Sequence, residues 1–566
     1  MLARGAIAQY NAAMAEIAPN RASFLNYSPV PLAFGTSGLR GLVKDITDLE
    51  AYINVKGALG YLLGCGDIRA GSVVVIAGDL RPSSDRIMTA CAQAVSDAGC
   101  RVENGGKIPT PALIAHSMAK KSAGVMVTGS HIPFDRNGIK INKSVGEVLK
   151  SDEPGILREV ARVRAEEYRR SAAASAFDAC GMLKREPKLP PVDGAAEQAY
   201  LRRYLESFKR GGLAGQRIVV YQHSAVGRDL LVCILRELGA EVVTAGRSDT
   251  FIPIDTENIT DEELARLEEL ATAAEANGKP IAAIVSTDGD SDRPLVTAVL
   301  PAHEVATGAR RVRFLPGDLL GAVVAEYLRA DGAAVPISAN DAVERCMAER
   351  KIILAKTKIG SPYVVDALED LRNTGKCQRI VGWEANGGFL TGSDIDLNDG
   401  KLTALPTRDA LLPILANLFA AAEQRLTLSA LWDRLPARFG RAGLLDNFPV
   451  AASQAILSQL IPAGSATEVE FDSGASIADD WQRCRVALAR FFTPAHGFDA
   501  IARINCLDGV RIYFRNGDIA HIRPSGNAPQ LRIYAVSGSQ ERADRIVESA
   551  LAEPDGILRQ IERAFT

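Results

Sequence analysis

The chain has 566 residues, 47% hydrophobic and 23% charged, with a formal net charge of −3. At roughly 100–200 residues per domain this predicts about four domains, each able to bury its own core. The near-neutral charge excludes nucleic-acid binding by bulk electrostatics, and the absence of a run near the roughly 20 apolar residues of a bilayer span excludes a transmembrane helix. The first twenty residues lack the apolar stretch of a signal peptide. The nine cysteines (Cys65, Cys91, Cys100, Cys180, Cys233, Cys346, Cys377, Cys484 and Cys506) are scattered without a CxxC pair. That predicts free thiols in a reducing cytoplasm rather than a disulfide framework or a zinc site.

In chain order, a glycine loop FGTSGLRG (34–41) comes first, with Arg40 among Gly35, Gly38 and Gly41. It lacks the Gly-Lys-Ser/Thr ending of a nucleotide-binding P-loop. SVVVIAG (72–78) then reads as a buried strand, followed by AGDLRPSS and a helical DRIMTACAQAVSDAG. The next strand ends in VTGSHIP (127–133), and AGVMVTGSHIPFDRNGIKI runs on through a turn to Lys140. Strand–helix alternation predicts mostly parallel pairing, with chemistry at the carboxyl ends of the strands. The stretch 156–179 reads as a charged helix, and KREPKLPPVDG (184–194) as a linker.

A second α/β unit opens at RIVVYQHSAVGRDLL (217–231) and reaches IAAIVSTDGDSDRPLV (281–296). A third runs from FLPGDLLGAVVAEYLRA (314–330) through KTKIGSPYV to RIVGWEANGGFLTGSD (379–394). From about 440 the pattern changes to strand-like GVRIYFRNGDIAHIRPSG and QLRIYAVSG, closed by the helical SQERADRIVESALAEP. The predicted limits are 1–190, 191–305, 306–435 and 436–566.

Besides the glycine loop 34–41, which offers Arg40 to an anion, four loops carry chemistry. Asp288, Asp290 and Asp292 alternate on one loop, followed by Arg293. Three clustered carboxylates repel unless a cation joins them, and hard oxygen ligands suit Mg²⁺. A solvated Asp-Gly turn is the alternative, whereas the glycine and glutamate of an EF-hand are missing. Ser130 beside His131 offers a nucleophile or a self-bonded loop hydroxyl, and neighbours in sequence rarely form a Ser-His-Asp triad. Glu384 and Asn386 can grip sugar hydroxyls or form an Asn-Gly turn. Arg523, Ser525, Gly526 and Asn527, with Arg532 beyond, suit a phosphate cradle or a plain Pro-Ser-Gly turn.

In this order VTGSHIP, DGDSDR, GWEANGG and RPSGNAP resemble the active-site serine, metal, sugar and phosphate loops of the α-D-phosphohexomutase family, over about residues 34–540. The resemblance implies four domains around a central cleft: three similar α/β units with mixed sheets, then a smaller α+β C-terminal domain. It implies phosphorylation of Ser130 and Mg²⁺ held by Asp288, Asp290 and Asp292, with a phosphoserine oxygen completing the set. Glu384 and Asn386 would read the sugar. Arg523, Ser525, Gly526, Asn527 and Arg532 would take the substrate's non-reacting phosphate.

The implied reaction interconverts hexose 1- and 6-phosphates of mannose or glucose, with a catalytic trace of hexose 1,6-bisphosphate as activator. A sugar 1,6-bisphosphate synthase and a non-catalytic sugar-phosphate-binding homologue are the alternatives. The expected state is a cytoplasmic monomer or homodimer with no nucleic-acid or membrane partner. The chain departs from the family at Gly129, where Ala is usual, at Ile132 for Asn, and at Ser361 and Gly388, where histidines are common. It departs again at Asn386 for Ser, and at Asn527 and Ala528 for Thr and Glu. The acid and base are therefore sought among Lys140, Arg40 and His131, with Arg293 spreading transition-state charge. Lys140 is the first candidate for a base, which requires cationic neighbours to depress its pKa.

Overall fold

The structure is a computed structural model that describes residues 22, 24–35, 38–185, 187–301, 304–305, 309–397, 400–462, 464, 466–474, 476–524 and 529–565. The chain forms two compact units, Met1–Ala333 with Ser361–Trp432, and Ala334–Gly360 with Asp433–Thr566. Both are built of helices and sheets, and the fold is α/β with several mixed sheets and a smaller C-terminal region.

In the first unit a seven-stranded sheet runs in the order Ala33–Phe34, Leu39–Leu42, Arg136–Lys143, Ala123–Val127, Val73–Gly78, Arg101–Lys107, with Gly146–Glu147 beside Arg136–Lys143. Parallel pairing is confined to Val73–Gly78 and its two neighbours. The other pairings are antiparallel, which corrects the expectation of mostly parallel sheets. The reason is the short loop 128–135. A parallel return needs a crossover of a dozen or more residues, and this loop is too short to hold one.

Helices Ser84–Asp97 and Thr110–Ala119 supply the crossovers elsewhere in this sheet. Helix Asp48–Gly64 starts where the Thr47 hydroxyl accepts from the Glu50 N–H, which satisfies an orphan donor of the first turn. Helix Glu153–Tyr168 packs on it and buries Ile156, Val160 and Val163 at helical spacing. The helix expected to reach residue 179 stops at Tyr168. Beyond it the chain offers small residues and no apolar stripe. Buried Phe177 instead packs edge-on against Tyr52 and pairs with Leu183 in an isolated bridge.

The second sheet orders Val312–Phe314, Pro294–Val299, Ala283–Thr287, Arg217–His223 and Glu241–Arg247, and is also mixed. Strands Ile380–Trp383, Phe389–Thr391 and Leu405–Asp409 of a third sheet pair antiparallel. Strands Ala123–Val127, Ala283–Thr287 and Ile380–Trp383 are buried along their whole lengths. Strands buried along their whole lengths resist sliding, so the loops leaving their carboxyl ends start from fixed points.

The second unit carries a six-stranded antiparallel sheet in the order Phe439–Leu445, Leu531–Ser537, Ile519–Pro524, Val510–Phe514, Ile501–Asn505, Glu468–Glu470. Helices Gln540–Leu551 and Ile557–Phe565 join its aromatic and aliphatic core.

Candidate active site

Three loops of the first unit converge. The first leaves strand Ala123–Val127 and turns at Ser130, whose φ of 55° lies in the left-handed region. A non-glycine residue there is strained and must be held by its surroundings. The Ser130 N–H donates to Thr128 Oγ1 at 2.8 Å. Arg81, itself buried, donates to the carbonyls of Ser130 (3.0 Å), Ile132, Pro133 (2.6 Å) and Arg136 (2.9 Å). Its Nε reaches Asp79 Oδ2 at 3.2 Å, and its guanidinium lies 3.9 Å from the Phe251 ring centroid. Arg81 therefore ties the whole serine loop to one planar fork. A Cβ at Gly129 would stand 2.6 Å from the Arg81 Cζ, so glycine at this position leaves the room this arginine takes.

The second loop closes the hairpin between Ala283–Thr287 and Pro294–Val299. Asp288 Oδ1 accepts from the N–H groups of Asp292 and Arg293 at 3.1 and 3.2 Å, which curls the loop round its own first carboxylate. Asp288 Oδ2 accepts from Ser130 Oγ at 2.6 Å. Asp290 Oδ2 accepts from Thr110 Oγ1 and Lys140 Nζ, and Asp292 Oδ2 accepts from Lys140 Nζ at 2.7 Å. All three aspartates are fully buried. One oxygen from each lies within 4.8 Å of the others. Asp290 Oδ1 and Asp292 Oδ1 are buried without a hydrogen-bond partner. Orphaned carboxylate oxygens are costly, and a hard cation is the partner that all-oxygen donor sets satisfy, so the residues fit Mg²⁺.

The electrostatics agree. Burial and the charges of Asp290 and Asp292 hold the Asp288 carboxyl well above its usual range. Burial also raises Asp292, but Arg408, Lys140 and Arg293 lower it further, and the net shift is downward. Burial presses Lys140 down, yet Asp290 and Asp292 outweigh it and the lysine ends above its ordinary value. That corrects the expected depression: the nearest charges to Lys140 are carboxylates, so it stays an ammonium. Burial, Arg293 and Arg408 bring Arg40 down to about 10, which leaves it a cation at neutral pH. Arg293 is buried, with Nε 3.7 Å from Asp292 Oδ1. Burial and the cations Arg293 and Arg40 keep His131 neutral, with Nδ1 lacking a partner.

The third loop follows Ile380–Trp383. Glu384 Oε2 accepts from Arg408 Nη1 at 3.1 Å. Asn386 spends Oδ1 on the Gly388 N–H at 3.0 Å, while its carbonyl accepts from Thr256 Oγ1. Its amide nitrogen is the group left to offer a ligand. Arg408 also donates from Nε and Nη2 to Asp292 Oδ2 at 3.1 and 2.8 Å. The sequence reading singled out neither Arg81 nor Arg408. The only signal for Arg81 was AGDLRPSS, and Arg408 lies in a strand with no motif around it.

In the second unit Arg523 and Arg532 stand opposite each other on adjacent strands. Like charges so placed repel, which suits an anion between them. Arg523 Nε donates to Asp508 Oδ2 at 3.1 Å, and Arg532 Nε is buried without a partner. Ser525, Gly526 and Asn527, like Thr36 and Ser37 of the glycine loop, lie outside the described residues.

Comparison with known proteins shows the family. The phosphoglucomutase/phosphomannomutase α/β/α domain I matches residues 31–167, domain III residues 316–439 and the C-terminal domain residues 482–553. A phosphomannomutase of Salmonella muenchen is 37% identical over 523 residues, 92% of this chain and 95% of that protein. One of Sinorhizobium fredii is 36% identical over 524 residues, 92% and 98% of the two chains. The crystal structure of a phosphoglucomutase/phosphomannomutase family protein from Burkholderia thailandensis superposes with a TM-score of 0.62, at 17% identity and with 94% and 97% of the chains covered. With three domain models matched and identities of 36–37% over most of its length, the chain belongs to the α-D-phosphohexomutase family, whose phosphomannomutase members are isomerases.

Proposed function

We propose that the protein interconverts hexose 1-phosphate and hexose 6-phosphate, with mannose or glucose as the sugar, through a phosphoserine at Ser130 and a bound hexose 1,6-bisphosphate. The observation that carries this reading is the Ser130 hydroxyl 2.6 Å from Asp288 Oδ2, at the edge of a carboxylate cluster with orphaned oxygens. The identities of 36–37% to proteins named phosphomannomutase support it.

The charges balance in this scheme. Asp288, Asp290, Asp292 and Glu384 face Arg40, Lys140, Arg293 and Arg408. A phosphoserine adds about −1.5 to −2, and a divalent cation restores neutrality. Asp288, Asp290 and Asp292 would hold Mg²⁺ with a phosphoryl oxygen of Ser130. Bound there, the ion would neutralise charge on the phosphoryl oxygens. Lys140, Arg40 and Arg293 spread the charge that develops as the phosphoryl group leaves Ser130. In that step the bond from phosphorus to Ser130 Oγ breaks, one to a sugar hydroxyl oxygen forms, and the proton that hydroxyl gives up is taken by Ser130 Oγ, which leaves as the free serine. Returning the other phosphoryl group to Ser130 completes the exchange. Glu384 and the Asn386 amide bind the sugar hydroxyls, and Arg523 and Arg532 of the second unit are assigned to the non-reacting phosphate. The predicted domain limits stand as part of this proposal. The nine free thiols support a reducing compartment, the cytoplasm.

Phosphorus NMR tests the reading. The protein is given Mg²⁺, a trace of glucose 1,6-bisphosphate, and mannose 1-phosphate or glucose 1-phosphate in separate samples. Conversion to the 6-phosphate that is lost in Ser130→Ala is expected, and the rate ratio identifies the sugar. No conversion, from protein whose mass shows no serine phosphate, refutes it.

A further inference from the structure

We infer that Arg408 is the residue that positions Glu384 for the sugar, by locking it to Asp292 of the metal loop, and that residue 388 is glycine to admit it. The inference rests on the assignment of Glu384 to the sugar hydroxyls.

Arg408 lies on strand Leu405–Asp409, next to the strand that follows the sugar loop. Its guanidinium gives two donors to Asp292 Oδ2 and a third to Glu384 Oε2. The three groups are 2%, 0% and 5% exposed, so water does not compete for these bonds. A guanidinium is planar, and its donors point in fixed directions. Two carboxylates bound to one such fork have their separation and tilt set by it. Glu384 uses Oε2 on the arginine and keeps Oε1 to accept from a hydroxyl.

Gly388 makes the arrangement possible. A Cβ on residue 388 would stand 2.6 Å from Arg408 Cδ and 2.7 Å from its Cγ. A side chain at 388 and the Arg408 stem therefore claim the same space. The requirement is steric, because Gly388 is not among the residues with positive φ.

The test uses the full chain with Mg²⁺. Calorimetry on the Ser130→Ala background reads the affinity for mannose 6-phosphate, glucose 6-phosphate and inorganic phosphate. Steady-state kinetics on the Ser130 protein separate KM from kcat. Arg408→Met is expected to weaken hexose phosphate binding by about 10- to 100-fold, the range seen when outer partners of site ligands are removed. KM rises with it and kcat changes less. Inorganic phosphate affinity stays within about twofold, since phosphate alone has no hydroxyl for Glu384 to read. Arg408→Lys restores less than about a third of the lost affinity, because an ammonium lacks the rigid planar fork that fixes the separation and tilt of the two carboxylates. Gly388→Ala alone weakens binding, yet adds less than about twofold to Arg408→Met, the signature of two residues acting through one contact.

Losses that simply add would overturn the inference. So would unchanged hexose phosphate affinity in Arg408→Met, or an equal loss for inorganic phosphate, which would make Arg408 a phosphate ligand. The conservative Lys and Ala variants keep the question answerable if the Met variant folds poorly. Binding that follows the cycle in a protein without turnover would refute the mutase reading and leave this inference standing. Turnover with additive losses would do the reverse.

Discussion

Replacing Gly289 by alanine tests the closeness of the serine and metal loops without altering any charge. The added Cβ would stand 2.6 Å from the Ser130 carbonyl oxygen, and 2.8 and 3.0 Å from two atoms of the Phe251 ring. Ordinary contact begins at 3.4 Å, so the two loops must separate by ~0.8 Å to relieve the overlap. Phe251 blocks retreat on the other side, because its ring is backed by the Arg81 guanidinium. The same separation applied to the bond from Ser130 Oγ to Asp288 Oδ2, now 2.6 Å, carries it out of hydrogen-bond range. Overpacking of this kind costs roughly 1–3 kcal/mol of stability. A misplacement near 1 Å at a reacting group costs about 100-fold in rate. We therefore expect Gly289→Ala to fold, with a modestly lower melting temperature, and to lose roughly 30- to 100-fold in kcat. Phosphorus NMR of hexose phosphate conversion measures it, with circular dichroism as the control for folding. A folded variant with kcat within about threefold of wild type would show that the loops do not need this contact.

Further outcomes follow from the same geometry. Arg81→Met leaves Asp79 buried without its guanidinium and several loop carbonyls without a donor, and should cost about 3–5 kcal/mol, read by urea unfolding. A loss below about 1 kcal/mol would mean that Arg81 does not hold the loop. Mg²⁺ should raise the melting temperature, by about 2.7 kcal/mol of stability at a hundredfold excess over its dissociation constant, and this gain should vanish in Asp290→Asn. Equal stabilisation of both proteins would place the ion elsewhere. Burial holds His223 down to about 4 and His521 down to about 3, against an ordinary 6.5. The unfolded chain takes up these protons below about 6.5 while the folded chain does not. Stability should therefore fall as pH drops from 6.5 towards 4, by about 1.4 kcal/mol per unit for each histidine. The test is urea unfolding at several pH values for wild type and His223→Gln, whose identical slopes would refute the assignment to His223.

The loops VTGSHIP, DGDSDR and EANGG were legible in the sequence because their chemistry is local. Three aspartates on one turn repel one another unless a cation joins them, and an apolar run before a polar loop marks a strand end. The α/β alternation and the antiparallel C-terminal strands were legible for the same reason, since side-chain period depends on neighbours in the chain. Direction of pairing was not. It was decided by the short 128–135 return, together with the burial of Arg136–Lys143 against Ala123–Val127. Nor did alanine-rich 171–176 reveal that its helix would stop, because the burial of Phe177 on Tyr52 is a tertiary fact.

Arg81 and Arg408 make the point most sharply. An arginine in a sequence reads as a solvated charge, because arginine is mostly exposed. Here both are buried, one fastening the serine loop and the other joining Glu384 to Asp292. Their partners lie 49, 24 and 116 positions away, and Ser130 meets Asp288 across 158. The amino-acid sequence alone determined which groups could react. Only the tertiary structure decided which of them meet, and which charges would be stripped of water and so bound to one another, because burial is a property of the packed fold rather than of any residue in it.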